Sequence, residues 1–476
     1  MQTETPGMNS IRDLSPDQCL RSNVVDFSSL SRNVGRFDFR HKTLLIPEMN
    51  RIGCNLLAGV FRSFDIDAVV MPTYQGLEMG MAHTSGKECY PCQVTLGDVL
   101  FFLENEQRRL GPNFDPGKYV YFMPEADGPC RFGMYNKFQK IVLDSMPEFA
   151  SVRIGALSTR DGYSLDGLVD SSKIGVLRRA AYLSVILADV LDRLLWRVRP
   201  YEREPGSADR LIEDATKTLA ASFEQHGDGG KFSPILDDFD EVLRKGAALV
   251  NPDIRRKPRI GVVGEIYLRT HVLSNQDTIR NLERFGGEAV NASIAEWVNF
   301  TTYERILELE NKLAASLKTL ETSKLPGDVK KLIGYKLELF YQQRVQSVVY
   351  RRARRIIDIA DDHRVGELDR IIRKYDLYDF RIGTEASLSI AAAMSYVEEG
   401  YNGIVNIYPF TCMPGAITSS IVKPLMQRLG VPYLDAPYDS SFQPGREGAL
   451  RTFMFQAQRH FERFRKARNL RTEADA

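Results

Sequence analysis

The sequence predicts an α/β protein with two Rossmann-like, parallel-sheet domains and helical insertions. Short apolar runs, rich in β-branched and aromatic residues, alternate with segments long enough for helices. These runs form two series, one over residues 43–157 and the other over residues 259–436. The length of 476 residues also exceeds the usual size of one hydrophobic core, which favours more than one domain.

Each series contains four predicted strands. Those of the first series are TLLIP (43–47), IDAVVMP (66–72), KYVYFMP (118–124) and SVRIGAL (151–157). Those of the second are RIGVVGEIYL (259–268), GEAVNAS (287–293), IVNIYPF (404–410) and PYLDA (432–436). Apolar residues at helical spacing predict long amphipathic helices over 176–198 and 333–360.

These patterns divide the chain into five parts. They are an irregular N-terminal extension (1–35), a first α/β domain (36–165), a helical segment (166–255), a second α/β domain (256–465) with a helical insertion (300–380), and a tail (466–476).

Composition excludes several classes of protein. The 63 basic and 62 acidic residues give a formal charge of +1, so no global field attracts a nucleic acid. The first residues lack the basic and apolar regions of a signal peptide, and the apolar stretch at 183–191 is too short to span a bilayer. We therefore expect a cytoplasmic protein that binds neither nucleic acid nor membrane.

Four of the six cysteines occupy the junctions where a strand or loop leads into a helix. Cys89 and Cys92 form a C-x-x-C before a helical pattern, while Cys130 and Cys412 each follow a predicted strand. Such junctions collect at the carboxyl edge of a parallel sheet. We therefore expect the four thiols to converge between the domains, where helix N-termini should favour thiolates.

Four convergent thiolates are the ligand set of a cubane iron–sulfur cluster. The neighbouring glycines and prolines would let the backbone approach it closely: Gly128, Pro129, Gly133, Pro414 and Gly415. A zinc site and a thioredoxin-like dithiol are the alternatives, although zinc sites usually pair two close C-x-x-C knuckles. Cys19 and Cys54 lie outside the pattern and are interpreted as bystanders.

Four segments carry a family resemblance: GKECYPCQVTLGDVL, EADGPCRFGMY, GEIYLRTHVLSNQDTIRNLERFGGEAV and PFTCMPGAITSSIVKPLMQRLGVPYL. Between about Phe37 and Arg459 the chain resembles iron–sulfur proteins of the 2-hydroxyacyl-CoA dehydratase and activase-related superfamily. It is most similar to the activase-associated branch, to which double-cubane cluster reductases are related. The resemblance implies α/β domains around a [4Fe–4S] cluster that receives electrons from an ATP-hydrolysing activase of actin-like fold.

The chain does not resemble the activase itself. The segment GMAHTSGKE (80–88) only mimics a P-loop, because it has five residues between its glycines and Glu88 in place of Ser or Thr. ATP hydrolysis is therefore expected from a separate protein.

Several polar residues near the cysteines are candidates for a site role. Glu125 and Asp127 precede Cys130, where they would relay protons or stabilise a turn. Glu265 and Arg269 end a predicted strand and either pair with each other or face the site. His83 is interpreted as a ligand, a proton donor or a surface histidine.

Three functions follow from these residues. The first is an iron–sulfur protein for low-potential electron transfer or reduction, served by an activase or another redox protein. The second is a 2-hydroxyacyl-CoA dehydratase-type lyase acting on an acyl-CoA, and the third is a non-catalytic zinc or cluster scaffold. Homo-oligomerisation remains open at this stage.

Overall fold

A computed structural model describes residues 34–35, 41–126, 129–156, 169–319 and 325–474. It confirms the predicted class, because two separate parallel sheets are surrounded by helices. The helices are α1 (Arg51–Ser63), α2 (Leu77–Ala82), α3 (Tyr90–Leu110), α4 (Tyr135–Asp144), α5 (Ile174–Val198), α6 (Ser207–His226), α7 (Ser233–Leu249), α8 (Ile266–Thr270), α9 (Thr278–Arg284), α10 (Ile294–Thr319), α11 (Leu325–Arg354), α12 (Val365–Lys374), α13 (Glu385–Glu398), α14 (Met413–Leu429) and α15 (Arg446–Ala474).

The first sheet has the strand order β1-β5-β4-β2-β3, and all of its pairs are parallel. Its strands are β1 (Val34–Gly35), β2 (Thr43–Ile46), β3 (Asp67–Val70), β4 (Tyr119–Phe122) and β5 (Arg153–Gly155). The four strands predicted for this domain are confirmed. Strand β1 lies at the end of the predicted irregular extension, where its two residues pair with the outer edge of β5.

Alternating side chains of the first sheet enter two different cores, as the period of a strand requires. Leu44 and Ile46 of β2 join the core formed with α1, α5, α6 and α7. Leu45 between them joins the opposite core, which contains α3 and α4. Both faces of this sheet are therefore buried, as is usual for parallel sheets.

The second sheet has the order β7-β6-β8-β9 and is also parallel throughout. Its strands are β6 (Arg259–Gly264), β7 (Glu288–Asn291), β8 (Gly403–Pro409) and β9 (Tyr433–Tyr438). These confirm the second predicted series. One face packs against α12, α13 and α14, and the other packs against α8, α9 and α15.

The helical segments pack into the same hydrophobic core as Leu44 and Ile46 of β2. Most side chains of α5 are buried there, and Ala295 of α10 and Tyr350 of α11 belong to the same core. The Tyr182 hydroxyl of α5 donates to Asn299 Oδ1 of α10 at 2.7 Å. The hairpin of α10 and α11, predicted as an insertion in the second domain, therefore packs against the helices of the first.

Two predicted boundaries differ from the structure. The helix predicted over 333–360 begins earlier, at Leu325, and ends at Arg354. The segment predicted as a tail from residue 466 continues α15 as far as Ala474, in a stretch of Arg, Ala, Leu and Glu with high helix propensity. Within the described ranges, none of the helices combines the length and apolarity needed to cross a membrane.

Candidate metal centre

In each sheet, the next two strands in sequence pair on opposite sides of one strand, which is β2 in the first sheet and β6 in the second. The chain passes from β2 to β3 on one side and then to β4 on the other, and β7 and β8 flank β6 in the same way. Such switch points leave a crevice outside the carboxyl ends of the two adjacent strands, where open α/β folds bind ligands. Cys130 follows β4 and Cys412 follows β8, so both lie at switch points.

The C-x-x-C enters the same region through the start of α3. Cys89 is the residue before this helix and has a φ of 90°, a conformation that is rare for a residue with a side chain. Thr411, which precedes Cys412, also has a positive φ of 65°. Each such residue costs about 1–3 kcal/mol, and conformations of this kind cluster at functional sites.

Three of the thiols share one charged neighbour, Glu265. The Glu265 carboxylate raises the pKa of Cys89, Cys130 and Cys412, in addition to the larger effect of burial. Cys89 itself raises the pKa of Cys130 and Cys412. The structure therefore brings together thiols that are up to 323 residues apart in sequence, since 412 − 89 = 323.

These thiols are protonated rather than ionised in the metal-free protein. Burial raises the pKa of Cys89 to about 11 and that of Cys130 to about 12, and it also raises the pKa of Cys412. Burial therefore opposes the thiolate form that the helix N-termini are expected to favour. A bound cation would supply the missing stabilisation of the thiolates.

Hydrogen-bond donors already point at the sulfurs. The Phe132 backbone N–H donates to Cys130 Sγ at 3.5 Å, and the Gly415 N–H lowers the pKa of Cys412 against the larger effect of burial. The Tyr135 hydroxyl, at the start of α4, lowers the pKa of Cys89 against the larger effect of burial. Donors of this kind stabilise thiolates and the sulfides of iron–sulfur clusters.

Cys92 has different surroundings from the other three. Its side chain is 0% exposed and belongs to the core between α3 and the first sheet. Burial raises its pKa, and the charged groups acting on it are Cys89, Glu88 and Arg131 rather than Glu265. Cys92 therefore lies one helical turn behind Cys89, on the inner side of the site.

Two carboxyl groups from different elements face each other beside the thiols. Glu265 follows β6 and accepts hydrogen bonds from the N–H groups of Tyr267 and Leu268, at 3.0 and 2.8 Å. Burial raises the pKa of Glu385, at the start of α13, and the neighbouring Glu265 adds to this shift. Burial raises the pKa of Glu265 as well, so both buried carboxyl groups favour the protonated form more than a solvated glutamate does.

Gly264 sets the position of Glu265. It has a φ of 120°, and a Cβ built there would lie 1.9 Å from the Ile407 carbonyl oxygen of β8. Only glycine allows this close approach. The Glu265 N–H then donates to the same carbonyl at 2.8 Å, which directs the chain into α8.

Arg269, the second residue predicted beside this strand, is buried below Glu265. Its guanidinium donates to the Ala292 carbonyl at 2.5 Å, and its Nε has no hydrogen-bond partner. Its charge lowers the pKa of both Glu265 and Glu385, against the larger effect of burial. Arg269 therefore forms no direct ion pair with Glu265, but it is an electrostatic neighbour of the pair.

The remaining predicted residues have more peripheral positions. Glu125 accepts hydrogen bonds from Asn136 at 3.0 Å and Lys137 at 2.7 Å, which ties the chain before Cys130 to α4. His83 is exposed at the end of α2. Cys54 is buried in α1, and its thiol donates to the Pro47 carbonyl at 3.5 Å. Asp127 and Cys19 lie outside the described residues.

Sequence reasoning missed three residues of the site: Arg131, Tyr135 and Glu385. Arg131 and Tyr135 lie in the segment CRFGMY, directly after Cys130, so proximity in sequence was the available signal. Glu385 offered no such signal. It reaches the site only because α13 begins beside the carboxyl end of β6, where its Oε1 accepts the Ile266 N–H at 3.3 Å.

A second group of potential ligands lies elsewhere in the molecule. One ligand atom each of Glu296, Asp362 and His363 lies within 4.8 Å of the others. His363 Nδ1 is 3.0 Å from Glu296, and Arg193 pairs with Asp362 at 2.8 Å. Burial lowers the pKa of His363, but hydrogen bonds to Glu296 and Glu399 outweigh it and raise the pKa to about 9. A protonated imidazole beside a guanidinium does not bind a cation.

A cleft between the domains reaches the same edge of the sheets. Its volume is about 620 Å³, and it is lined by the segment after β2 and by α8, including Arg269. Leu195 and Trp196 contribute apolar lining, while Arg51 and Lys217 contribute charge. A larger cavity of about 970 Å³ lies near the amino ends of β6, β7 and β8, and none of the described cysteines lines either cavity.

Free thiols, a backbone N–H directed at Cys130 Sγ and a nearby arginine are groups of the kind that bind an anionic cluster, although no three sulfurs of the described residues lie within 4.8 Å of one another. No protein-family model matches this chain, and no curated protein matches it significantly.

Proposed function

We propose that this chain is an iron–sulfur protein that holds a [4Fe–4S] cluster among Cys89, Cys92, Cys130 and Cys412. The observation that carries the proposal is the common environment of thiols from three junctions in two sheets. When bound, the cluster would supply a one-electron redox centre. The thiols are free in the fold, which suits the reducing cytoplasm.

The spacing of the thiols does not match that of a mononuclear zinc site. Among the described residues, no three of these sulfurs lie within 4.8 Å of one another. A tetrahedral zinc ion would hold its sulfurs about 3.8 Å apart, given Zn–S bonds of about 2.3 Å. A polynuclear group occupies a wider space between its ligands.

The proposed role is low-potential electron transfer or reduction. The family resemblance supports an ATP-hydrolysing activase of actin-like fold as the electron donor, or another redox protein in its place. In this chain the Glu265–Glu385 pair would hold a proton beside the site, and the N–H donors would stabilise negative charge on sulfur. An electron from the donor protein and a proton from the Glu265–Glu385 pair would then both be delivered to the cluster site.

Anaerobic reconstitution with iron and sulfide tests the proposal. We expect about four irons and four sulfides per chain, with an electron paramagnetic resonance signal after reduction. C89A, C130A and C412A should each lose most of the iron, whereas C54A is the matched control and should retain it. Equal iron in all four variants, or stoichiometric zinc without sulfide, would refute the assignment.

A second candidate function is a 2-hydroxyacyl-CoA dehydratase-type lyase, in which substrate approaches the cluster directly. The different surroundings of Cys92 favour it, because a cluster held by the other three thiols would keep one position free of a protein thiolate. The cleft of about 620 Å³ that Arg269 lines is within the usual size of a small-molecule site, but none of the four cysteines lines it.

C92A separates the two functions. If it retains the cluster, the fourth position is open, and binding of a 2-hydroxyacyl-CoA should be measurable by calorimetry. If it loses the cluster, four thiolates close the site, which favours electron transfer. A protein that binds the cluster but shows neither redox activity nor acyl-CoA binding would support the third function, a non-catalytic scaffold.

A further inference from the structure

We propose that Arg131 is a positioning residue that joins the three cysteine-bearing segments before any metal binds. This inference rests on the proposed site. Its guanidinium Nη1 donates to the Lys87 carbonyl at 2.6 Å, and its Nη2 donates to the Thr411 carbonyl at 3.0 Å. Arg131 directly follows Cys130, Lys87 precedes the C-x-x-C, and Thr411 directly precedes Cys412. One side chain therefore touches all three segments.

The two carbonyl groups belong to segments with strained backbone. Thr411 is itself at a φ of 65°, which is rare for a β-branched residue. Lys87 lies two residues before Cys89, whose φ is 90°. Strained conformations persist only when their surroundings determine them. Bonds from Arg131 to both carbonyls provide that restraint without involving a sulfur atom.

The charge of Arg131 contributes separately from its geometry. It lowers the pKa of Cys89 and Cys92, against the larger effect of burial. The same charge favours an anionic group in the site. Arg131 therefore has two separable properties, a planar fork that reaches two carbonyls and a positive charge near the thiols.

Arginine suits the first of these properties, the bridge to two carbonyl groups. A guanidinium presents several N–H groups in a fixed fork, so it can bond to two carbonyls in different directions. A lysine ammonium carries the same charge on a single atom. R131K should therefore keep most of the charge and lose the bridge, while R131Q should lose both.

Hydrogen exchange followed by mass spectrometry on the metal-free full-length protein tests the bridge. In R131K and R131Q we expect the peptides containing Cys89–Gln93 and Cys412–Ala416 to exchange about tenfold faster, because each loses a charge-assisted hydrogen bond. Peptides from α5 should not change. R108K is the matched control, since Arg108 is an exposed arginine on α3 whose side chain bonds only within that helix.

The second measurement is the half-life of the reconstituted cluster in the presence of a chelator. R131K should shorten it several-fold, and R131Q should shorten it further because the charge is also lost. Unchanged exchange at both segments in R131K would overturn the inference, even if the wild type binds a cluster. Faster exchange in a protein that takes up no iron would support the bridge and refute the proposed function instead.

Discussion

Thr73 Oγ1 lies 3.0 Å from His271 Nε2, and this contact joins the segment after β3 to the second α/β domain. The Ser274 N–H donates to His271 Nδ1 at 3.2 Å, so Nδ1 is an acceptor and Nε2 carries the proton. His271 therefore donates to Thr73, and Thr73 donates to Asp98 of α3 at 2.7 Å. The helix that begins after Cys89 is thus connected to the opposite domain.

The first prediction concerns Asp98, the buried end of this chain. Burial raises its pKa to about 7, although bonds from Thr73 and Tyr74 oppose the shift. Because the folded pKa lies above the unfolded value, Asp98 should destabilise the fold progressively as pH rises from about 4 to about 7. D98N should remove this pH-dependent loss in the free energy of unfolding, which reaches at most about 4 kcal/mol.

The test is urea unfolding of wild type and D98N between pH 5 and pH 8. The stability difference should move in favour of D98N as pH rises. The exposed Asp253 provides the control, because D253N should leave the curve unchanged. A wild-type and D98N difference independent of pH would contradict the proposed titration.

The second prediction concerns His363. Its pKa is raised to about 9 by Glu296 and Glu399 against the effect of burial, so its contribution to stability should be complete below about pH 6.5 and lost as pH rises through about 9. E296Q should lower this pKa, because it removes the charge 3.0 Å from Nδ1. Nuclear magnetic resonance titration of the imidazole measures the shift directly. An unshifted titration in E296Q would show that Glu296 does not hold the proton.

The third prediction concerns thiol reactivity. With pKa values of about 11 and about 12, Cys89 and Cys130 should be almost fully protonated at pH 8 in the metal-free protein. Alkylation by iodoacetamide should then be at least about 100-fold slower than for a free cysteine, whose pKa is about 8.5. Mass spectrometry of each peptide gives the rates, and the unfolded protein in guanidinium is the reference. Rapid alkylation in the folded state would mean that the thiols are ionised.

The fourth prediction concerns Gly264. G264A should cost about 3 kcal/mol or more, because the new Cβ would meet the Ile407 carbonyl as well as an unfavourable φ. G430A is the matched control, since Gly430 also has a positive φ of 68° but no atom within 4 Å of the position that a Cβ would take. It should cost only about 1–2 kcal/mol. Equal losses in urea unfolding would show that the close approach is unimportant.

Sequence patterns alone predicted the strands and the junctions. Leu44, Leu45 and Ile46 read as a short apolar run, and the structure places them in β2 with their side chains in two cores. Cys130 and Cys412 were assigned to strand–helix junctions for the same local reason. Burial on both faces of a parallel strand selects continuous apolar residues, and this selection is visible in the sequence.

Tertiary structure decided which groups meet at those junctions. Glu385 lies 120 residues after Glu265, since 385 − 265 = 120, and no sequence period connects them. The bridge from Arg131 to Thr411 spans 280 residues in the same way. Such contacts depend on strand order and on how the sheets pack, because β6 lies beside β8 although β7 separates the two in sequence.

The protonation state of the thiols also could not be predicted from the local sequence. A helix N-terminus near Cys89 and Cys92 indicated lowered pKa values, and this effect is local to one helix. Desolvation depends instead on every element that covers the sulfurs, including α4 and the second domain. The sequence by itself therefore determined which chemical groups are present at the site. Packing decided their distances, their charge states and the separate position of Cys92. The reason is that burial and long-range contacts arise only when the elements of the two domains pack together.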